Sequence, residues 1–262
     1  MIRVEVQPAE IHGRMLADTI LDAVARADGT GGTYLLGCPT GRTPRPVYAA
    51  MTKRLAKRPQ SLAPLVLVMM DEYLAGDGED FRYVPSDAHN SCRRFAESTM
   101  RGDWNAVLPP DLALPKGNVW FPDPADPRAY DDSIAAAGGL DLFLLASGAG
   151  DGHVAFNPPG TAPDTGTRIV ELGAQTRRDN MASFPAFASL DEVPTHGISV
   201  GIATIARARS AAMMLFGRDK RMAFRNIADA GGYDPDWPAT AIHLVPEAVI
   251  LADPEAADRQ EA

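Results

Sequence analysis

The chain alternates between short apolar runs and longer stretches in which apolar residues recur every three or four positions. Most of the runs are continuous, a pattern typical of strands buried on both faces of a parallel sheet. The predicted strands span residues 2–6, 34–37, 65–70, 119–121, 142–145, 168–172, 198–200, 211–216, 241–245 and 249–252.

The stretches between these runs carry the helical period. One helix begins after Pro8, and Ser86 or Asp87 is the predicted cap of another. The predicted helices span residues 9–25, 46–57, 87–100, 126–137 and 220–228.

Strands that alternate with helices imply βαβ units. We therefore expect an α/β fold, a doubly wound, mostly parallel Rossmann-like sheet with helices on both faces. The 262 residues suit one domain, with a polar tail from about residue 254. The Gly-, Pro- and Asp-rich segments 75–85 and 157–167 are expected to form long loops.

Composition narrows the function. The net charge of −9 argues against partners that favour basic faces, namely nucleic acid and membrane surfaces, but it allows a basic pocket for a small anion. Cys38 and Cys92 are the only cysteines, which makes a disulfide scaffold or a zinc site improbable. The N-terminus lacks the pattern of a signal peptide, and no apolar run approaches the ~20 residues that span a bilayer, so we expect a cytoplasmic protein.

The most informative polar residues follow the strand at 142–145. Asp151, Gly152 and His153 come shortly after it, and ligands of open α/β sheets bind beyond the carboxyl ends of strands. A carboxylate beside a histidine can move protons near neutral pH. The alternative is a glycine-rich turn with a surface histidine. A dinucleotide motif is excluded, because His153 stands where G-x-G-x-x-G needs its last glycine.

A second candidate is the CPTGRTP segment at 38–44, which lies between a strand and a helix. Thr40 and Thr43 offer hydroxyl groups, Gly41 offers an open N–H group, and the helix start favours an anion. The segment is a candidate phosphate cradle without the Gly-Lys-Ser/Thr of a Walker A loop. Taken alone, the segment favours an ordinary βα turn.

Further charged residues lie at other strand ends. Asp71, after the strand at 65–70, is expected to have a raised pKa and to act as a base, whereas Glu72 is expected to be solvated. Arg168, Arg177 and Lys220 also follow predicted strands or lie within one, and such cations can converge on a phosphate. Each of the three, taken singly, fits a solvated face as well.

Five segments in order resemble the glucosamine-6-phosphate deaminase (isomerase) family and, more distantly, the 6-phosphogluconolactonases. LLGCPTGRTP is similar to the family's phosphate loop, MMDEYL to its MDEY motif and DGHVAFNPPG to DGHIAFNEPG. TRIVEL with QTRRDN resembles TRI followed by DTR-AN, and LFGRDKRMA resembles the LG-xx-KA-A segment. The resemblance spans most of the chain.

The resemblance implies a role for each matching residue. Asp71 would be the base that moves a proton between C2 and C1 of the sugar, and His153, oriented by Asp151, would assist ring opening. The sugar phosphate would be held by residues of the loop and by two cations from the second half, namely Thr40, Gly41, Arg42, Thr43, Arg177 and Lys220. No metal or organic cofactor is implied.

The chain departs from the family pattern at three positions. Pro158 replaces a glutamate that partners the histidine, so ring opening could be slower or the substrate could differ. Arg42 replaces a glycine and adds a positive charge to the phosphate loop. Val170 replaces a lysine that some deaminases use in an allosteric phosphate site, which argues against that type of control.

The leading hypothesis is a cofactor-independent isomerase or deaminase of an amino-hexose 6-phosphate. A 6-phosphogluconolactonase is the enzymic alternative, in which His153 would activate water. A sugar-phosphate sensor without turnover is the non-enzymic one. Expected partners are a small sugar phosphate and, as a possibility, further copies of the chain, but neither nucleic acid nor a membrane.

Overall fold

The computed structural model describes residues 2–78, 80–184 and 186–258, and in these segments eleven strands form two sheets. The strands are β1 (Arg3–Val6), β2 (Tyr34–Cys38), β3 (Leu65–Met69), β4 (Asp71–Ala75), β5 (Arg82–Tyr83), β6 (Val119–Trp120), β7 (Leu142–Ala146), β8 (Arg168–Glu171), β9 (His196–Ser199), β10 (Ser210–Leu215) and β11 (Glu247–Ala252).

The helices differ widely in length. They are α1 (Ala9–Thr30), α2 (Arg45–Lys57), α3 (Cys92–Phe95), α4 (Asp103–Asn105), α5 (Arg128–Ala136), α6 (Ala174–Ser183), α7 (Ile202–Ala206), α8 (Arg221–Ala228) and α9 (Pro254–Ala257). A π-helical segment, Ala96–Gly102, joins α3 to α4. None of the helices in the described segments is long and apolar enough to cross a bilayer.

The larger sheet has seven parallel strands in the order β1-β11-β10-β7-β2-β3-β6. Neighbouring strand residues point to opposite faces: Leu35 packs in one buried cluster with residues of α5, α7 and α8, and Leu36 in another with residues of α1 and α2. Apolar side chains on both faces of the central strands explain why most of the runs are continuous rather than alternating. The predicted α/β fold with helices on both faces is confirmed.

A smaller antiparallel sheet, in the order β5-β4-β9-β8, was not predicted. Only Met70 separates β3 of the larger sheet from β4 of the smaller one. Its carbonyl accepts a hydrogen bond from the Val200 N–H group at 2.8 Å, while its own N–H group donates to Cys38 of β2. One chain segment therefore joins both sheets, and Asp71 is the first residue beyond the junction.

Two predicted elements are wrong. The helix predicted at 87–100 begins only at Cys92, because the hydroxyl of Ser91 accepts a hydrogen bond from the Arg94 N–H group and caps it there. The strand predicted at 241–245 lies instead mostly in a 3₁₀ helix, Pro238–Leu244, whose first residues are buried. A short buried apolar run does not by itself distinguish a strand from a helical turn.

The strand order reverses between β2 and β7. From β2 the sheet continues to β3 and β6, and from β7 it continues to β10 and β11. The loops that leave the carboxyl ends of β2 and β7 diverge here and leave a crevice, the place where open α/β sheets bind ligands.

Candidate active site

A cavity of about 510 Å³ occupies this crevice. The residues that follow β2, β3, β7 and β10 line it, so four strand ends contribute to one site. Of the nine residues singled out from the sequence, seven line the cavity: Thr40, Gly41, Arg42, Thr43, Asp71, His153 and Lys220. Such a volume is within the range of small-molecule sites.

The loop after β2 and the residues after β10 form the positively charged wall. Gly41 has a φ of 85°, in the left-handed region that glycine adopts without strain, so the loop can turn there. The Lys220 ammonium group donates to the Ser147 carbonyl at 2.7 Å. Burial lowers the pKa of Lys220, and the positive charge of Arg42 acts in the same direction. An anion bound between these two cations would offset the repulsion between their positive charges.

Asp71 also lines the cavity and is buried. Burial raises the pKa of its carboxyl group to about 7, against the ordinary 3.8; the Cys92 thiol limits the rise, and the charge of Glu72 adds to it. The Cys92 Sγ atom lies 3.4 Å from Asp71 Oδ1 and 3.4 Å from Thr40 Oγ1. A carboxyl group with a pKa near neutrality can both accept and return a proton.

Asp151 and His153 form a hydrogen-bonded pair beyond β7. His153 Nδ1 lies 2.7 Å from Asp151 Oδ1. Burial favours the neutral acid, but the hydrogen bond and charge of His153 hold the pKa of Asp151 below its ordinary value. When Nδ1 carries the proton of this bond, Nε2 of the neutral imidazole is a proton acceptor.

Gly152, between the two, explains part of the motif. Its φ is 65°, and a Cβ atom at this position would lie 2.3 Å from the Trp237 ring. The turn that brings His153 back to Asp151 therefore requires glycine for both its backbone angle and its packing.

Asp179 of α6 completes the group and was missed by the sequence reasoning. It lines the cavity, and one of its oxygens lies within 4.8 Å of the ligand atoms of both Asp151 and His153. The Gln175 amide donates to its Oδ1 atom at 2.9 Å. This spacing would also suit a metal ion, although the hydrogen bond between Asp151 and His153 already accounts for two of the three residues.

Two expectations require correction. Glu72 is not solvated but fully buried, where it accepts hydrogen bonds from the Cys92 and Arg93 N–H groups and from the Ser91 hydroxyl. The first N–H groups of a helix have no partner within the helix, and the Glu72 carboxylate accepts hydrogen bonds from those at the start of α3. Glu72 therefore does not line the cavity.

Arg177 does not line the cavity in this structure. Its guanidinium group donates to the carbonyls of Leu190 at 2.5 Å and Val193 at 3.1 Å. Arg168 likewise donates to the Asn157 side chain at 2.8 Å. Among the cations singled out from the second half of the chain, Lys220 is the one that the structure brings to the cavity.

Comparisons with known proteins agree with this geometry. A model of the family described as glucosamine-6-phosphate isomerases/6-phosphogluconolactonase matches residues 9–251. A glucosamine-6-phosphate deaminase of Bifidobacterium longum is 34% identical, with 99% of this chain and 91% of the relative covered. One of Mycolicibacterium smegmatis is also 34% identical, with 94% and 88% covered.

Solved structures give the same picture. A monomeric glucosamine-6-phosphate deaminase superposes with a TM-score of 0.82 at 27% identity, covering 98% of this chain and 99% of the other. The 6-phosphogluconolactonase from Trypanosoma cruzi superposes with a TM-score of 0.67 at 19% identity, covering 100% and 98%. The second likeness supports the shared fold alone.

Proposed function

Because this chain belongs to the family of glucosamine-6-phosphate isomerases and 6-phosphogluconolactonases, we propose that it is a glucosamine-6-phosphate deaminase. The reaction would convert glucosamine 6-phosphate and water into fructose 6-phosphate and ammonium. The observation that carries the proposal is a buried carboxyl group, Asp71, whose pKa is raised to about 7 and which faces the same cavity as a cationic loop.

The phosphate of the substrate would bind at the charged wall. Thr40 and Thr43 supply hydroxyl groups, and Arg42 and Lys220 supply positive charge. Anchoring the phosphate there would extend the sugar across the cavity toward Asp71. Holding the reacting carbon beside the base in this way is itself a large part of the catalytic effect.

Proton transfer would fall to Asp71. Its carboxylate would take the proton from C2 of the open-chain amino sugar and return it to C1, which converts the aldehyde and C2 amine into a C2 imine. Water would then add to C2, and the nitrogen would leave as ammonium. A base with a pKa near the working pH is the most effective one for such a transfer.

Ring opening would fall to His153. Its Nε2 atom would accept the proton of the C1 hydroxyl group, and Asp151 would stabilise the imidazolium that forms. As the C1–O5 bond breaks and the C1 aldehyde forms, the imidazolium would give the proton to O5. Asp179 supplies a second carboxylate near the imidazole, although Pro158 offers none. This arrangement makes the Asp151, His153 and Asp179 side chains the ring-opening unit of the proposed mechanism.

The test is a panel assay on the full chain. Glucosamine 6-phosphate is expected to release ammonium, and 6-phosphogluconolactone is expected to release no acid above the buffer blank. The Asp71→Asn variant is the matched control: it should bind the sugar phosphate and lose about 10²–10⁴-fold in turnover. Binding without turnover in the wild type would mean a sensor, and acid release from the lactone would mean a lactonase.

The setting of the enzyme follows from the same proposal. A small, phosphorylated and freely diffusing substrate fits a cytoplasmic enzyme, and the net charge of −9 disfavours nucleic acid as a partner. Assembly into a homo-oligomer stays a prediction that a mass measurement in solution would decide.

A further inference from the structure

A second open cavity, of about 430 Å³, adjoins the 40–42 loop. We call it the arginine cavity, after Arg42, Arg45 and Arg94 in its lining. Residues 40–42 are common to both cavities, whereas Asp71, His153 and Lys220 line only the first. The loop that would hold the substrate phosphate is therefore a shared wall.

The arginine cavity is lined by positively charged side chains. No carboxylate lines it in the described residues, although acidic residues outnumber basic ones 34 to 25 in the chain. Nor does any of the three arginines form an ion pair with a carboxylate in the described part of the chain. Arg94 donates instead to the Asp87 carbonyl, and Arg45 lies over the Phe95 ring. Three like charges around one cavity repel each other unless an anion separates them.

The same cavity has donors that await an acceptor. Asn90 lines it and is 5% exposed, and the Asn90 Nδ2 atom is buried with no hydrogen-bond partner in the described structure. Buried polar groups in native proteins are nearly always paired, so an unpaired amide calls for an explanation. The Thr99 hydroxyl group belongs to the same lining, as does that of Ser98, which donates to the Arg94 carbonyl at 2.8 Å.

We propose that the arginine cavity is a second anion site, for a small phosphate-bearing molecule. A phosphate dianion is matched by guanidinium groups, which bind its oxygens in pairs, and by neutral amide and hydroxyl donors. Inorganic phosphate and a phosphomonoester share this chemistry. Since Arg42 belongs to both cavities, the occupant of one influences the affinity of the other, and the effect is reciprocal.

The test measures how many phosphate groups one chain binds. Titration of the full wild-type chain with inorganic phosphate alone is expected to give two sites. Saturation with fructose 6-phosphate, a choice that rests on the proposed function, then identifies the occupant. One sugar phosphate plus one inorganic phosphate assigns inorganic phosphate to the arginine cavity, and two sugar phosphates assign a phosphomonoester. A single phosphate group per chain in both titrations overturns the site.

Variants locate the second site. Arg94→Gln should weaken it about ten- to a hundredfold, the value of one charge-assisted hydrogen bond, and leave ammonium release intact. Arg14→Gln, which removes the same charge from an exposed position of α1, should change neither. Two sites of unaltered affinity in Arg94→Gln overturn the assignment. Failure of ammonium release with both phosphates still bound refutes only the deaminase.

Discussion

Removing the Cys92 thiol should move the pH at which the enzyme becomes active. The thiol is buried 3.4 Å from Asp71 Oδ1, and it lowers the carboxyl pKa that burial raises to about 7. Cys92→Ala takes this donor away and leaves burial and the charge of Glu72 in place. The pKa of Asp71 must then rise further, so the ionised base appears only at higher pH.

The size of the effect follows from the bond. A neutral hydrogen bond contributes about 0.5–1.5 kcal/mol, and a thiol is a weak donor, so a rise of about 0.5–1 in the pKa is expected at about 1.36 kcal/mol for each pKa unit. At pH 7 the ionised fraction of Asp71 would fall from about a half to between a quarter and a tenth. Turnover at pH 7 would fall about two- to fivefold, and above pH 9 the two enzymes would be nearly equal.

The assay is the pH dependence of kcat/KM for glucosamine 6-phosphate. Cys92→Ser keeps a hydrogen-bond donor at this position, so kcat/KM should rise with pH near the same pH as in the wild type. Cys38→Ala is the matched control, since Cys38 is also a buried thiol, but it donates to the Leu36 carbonyl rather than to Asp71. The reasoning would be refuted if the pH at which kcat/KM rises were unchanged in Cys92→Ala, or if it shifted equally in Cys38→Ala.

Four further predictions concern the same site. Asp71→Asn should be more stable than the wild type at pH 8, by up to about 4 kcal/mol in urea unfolding: the folded carboxyl pKa lies near 7 and the unfolded one near 3.8, so the wild type loses this stability progressively as the pH rises from about 4 to about 7, and the gap should close below pH 4; equal midpoints at pH 8 would contradict the raised pKa. Asp179→Asn should lower kcat/KM on cyclic glucosamine 6-phosphate about tenfold, because an anion near the imidazole stabilises the positive charge that His153 gains when it takes the proton of the C1 hydroxyl group; unchanged kinetics would remove Asp179 from the ring-opening unit. Pro158→Glu restores the family acid and should recover activity in the Asp179→Asn background; a folded double variant as slow as Asp179→Asn would show that position 158 no longer reaches the imidazole. Lys220→Ala should raise KM about ten- to a hundredfold while activity on unphosphorylated glucosamine stays at its own low level, and an unchanged KM would place the phosphate elsewhere.

The sequence was informative where one physical rule dominates. Continuous apolar runs predicted five of the strands in the parallel sheet, at 34–37, 65–70, 142–145, 211–216 and 249–252, since only residues buried on both faces remain apolar without interruption. The strand at 2–6 was predicted instead from its alternation of apolar and charged residues. Asp71 directly follows one of the continuous runs and Lys220 follows another after three residues, and both side chains line the cavity. Local order along the chain was enough for both.

The remainder depends on contacts between distant segments. Glu72 is buried because the N–H groups of Cys92 and Arg93, twenty residues away, need an acceptor, and no local pattern announces that partnership. Asp179 could have been suspected as the acid of the QTRRDN segment, but its distance from His153 depends on where the fold places α6. Arg177 shows the converse, a motif residue whose guanidinium is taken by the carbonyls of Leu190 and Val193.

The segment that joins the two sheets has a consequence for how a sugar can enter and leave. A segment that opens and closes over the cavity has to move relative to the large sheet. The small sheet is held in place, because β4 continues from β3 through Met70 alone and the Met70 backbone is hydrogen-bonded to both β2 and Val200. Any swing of the small sheet would drag Asp71 away from Thr40 and dismantle the catalytic apparatus with every turnover. We therefore expect gating by a part of the rim that is not anchored in this way, and α6, which carries Asp179 and belongs to neither sheet, is such a part. Amide exchange should be faster along α6 than along β4, and a product-bound enzyme should slow it there first.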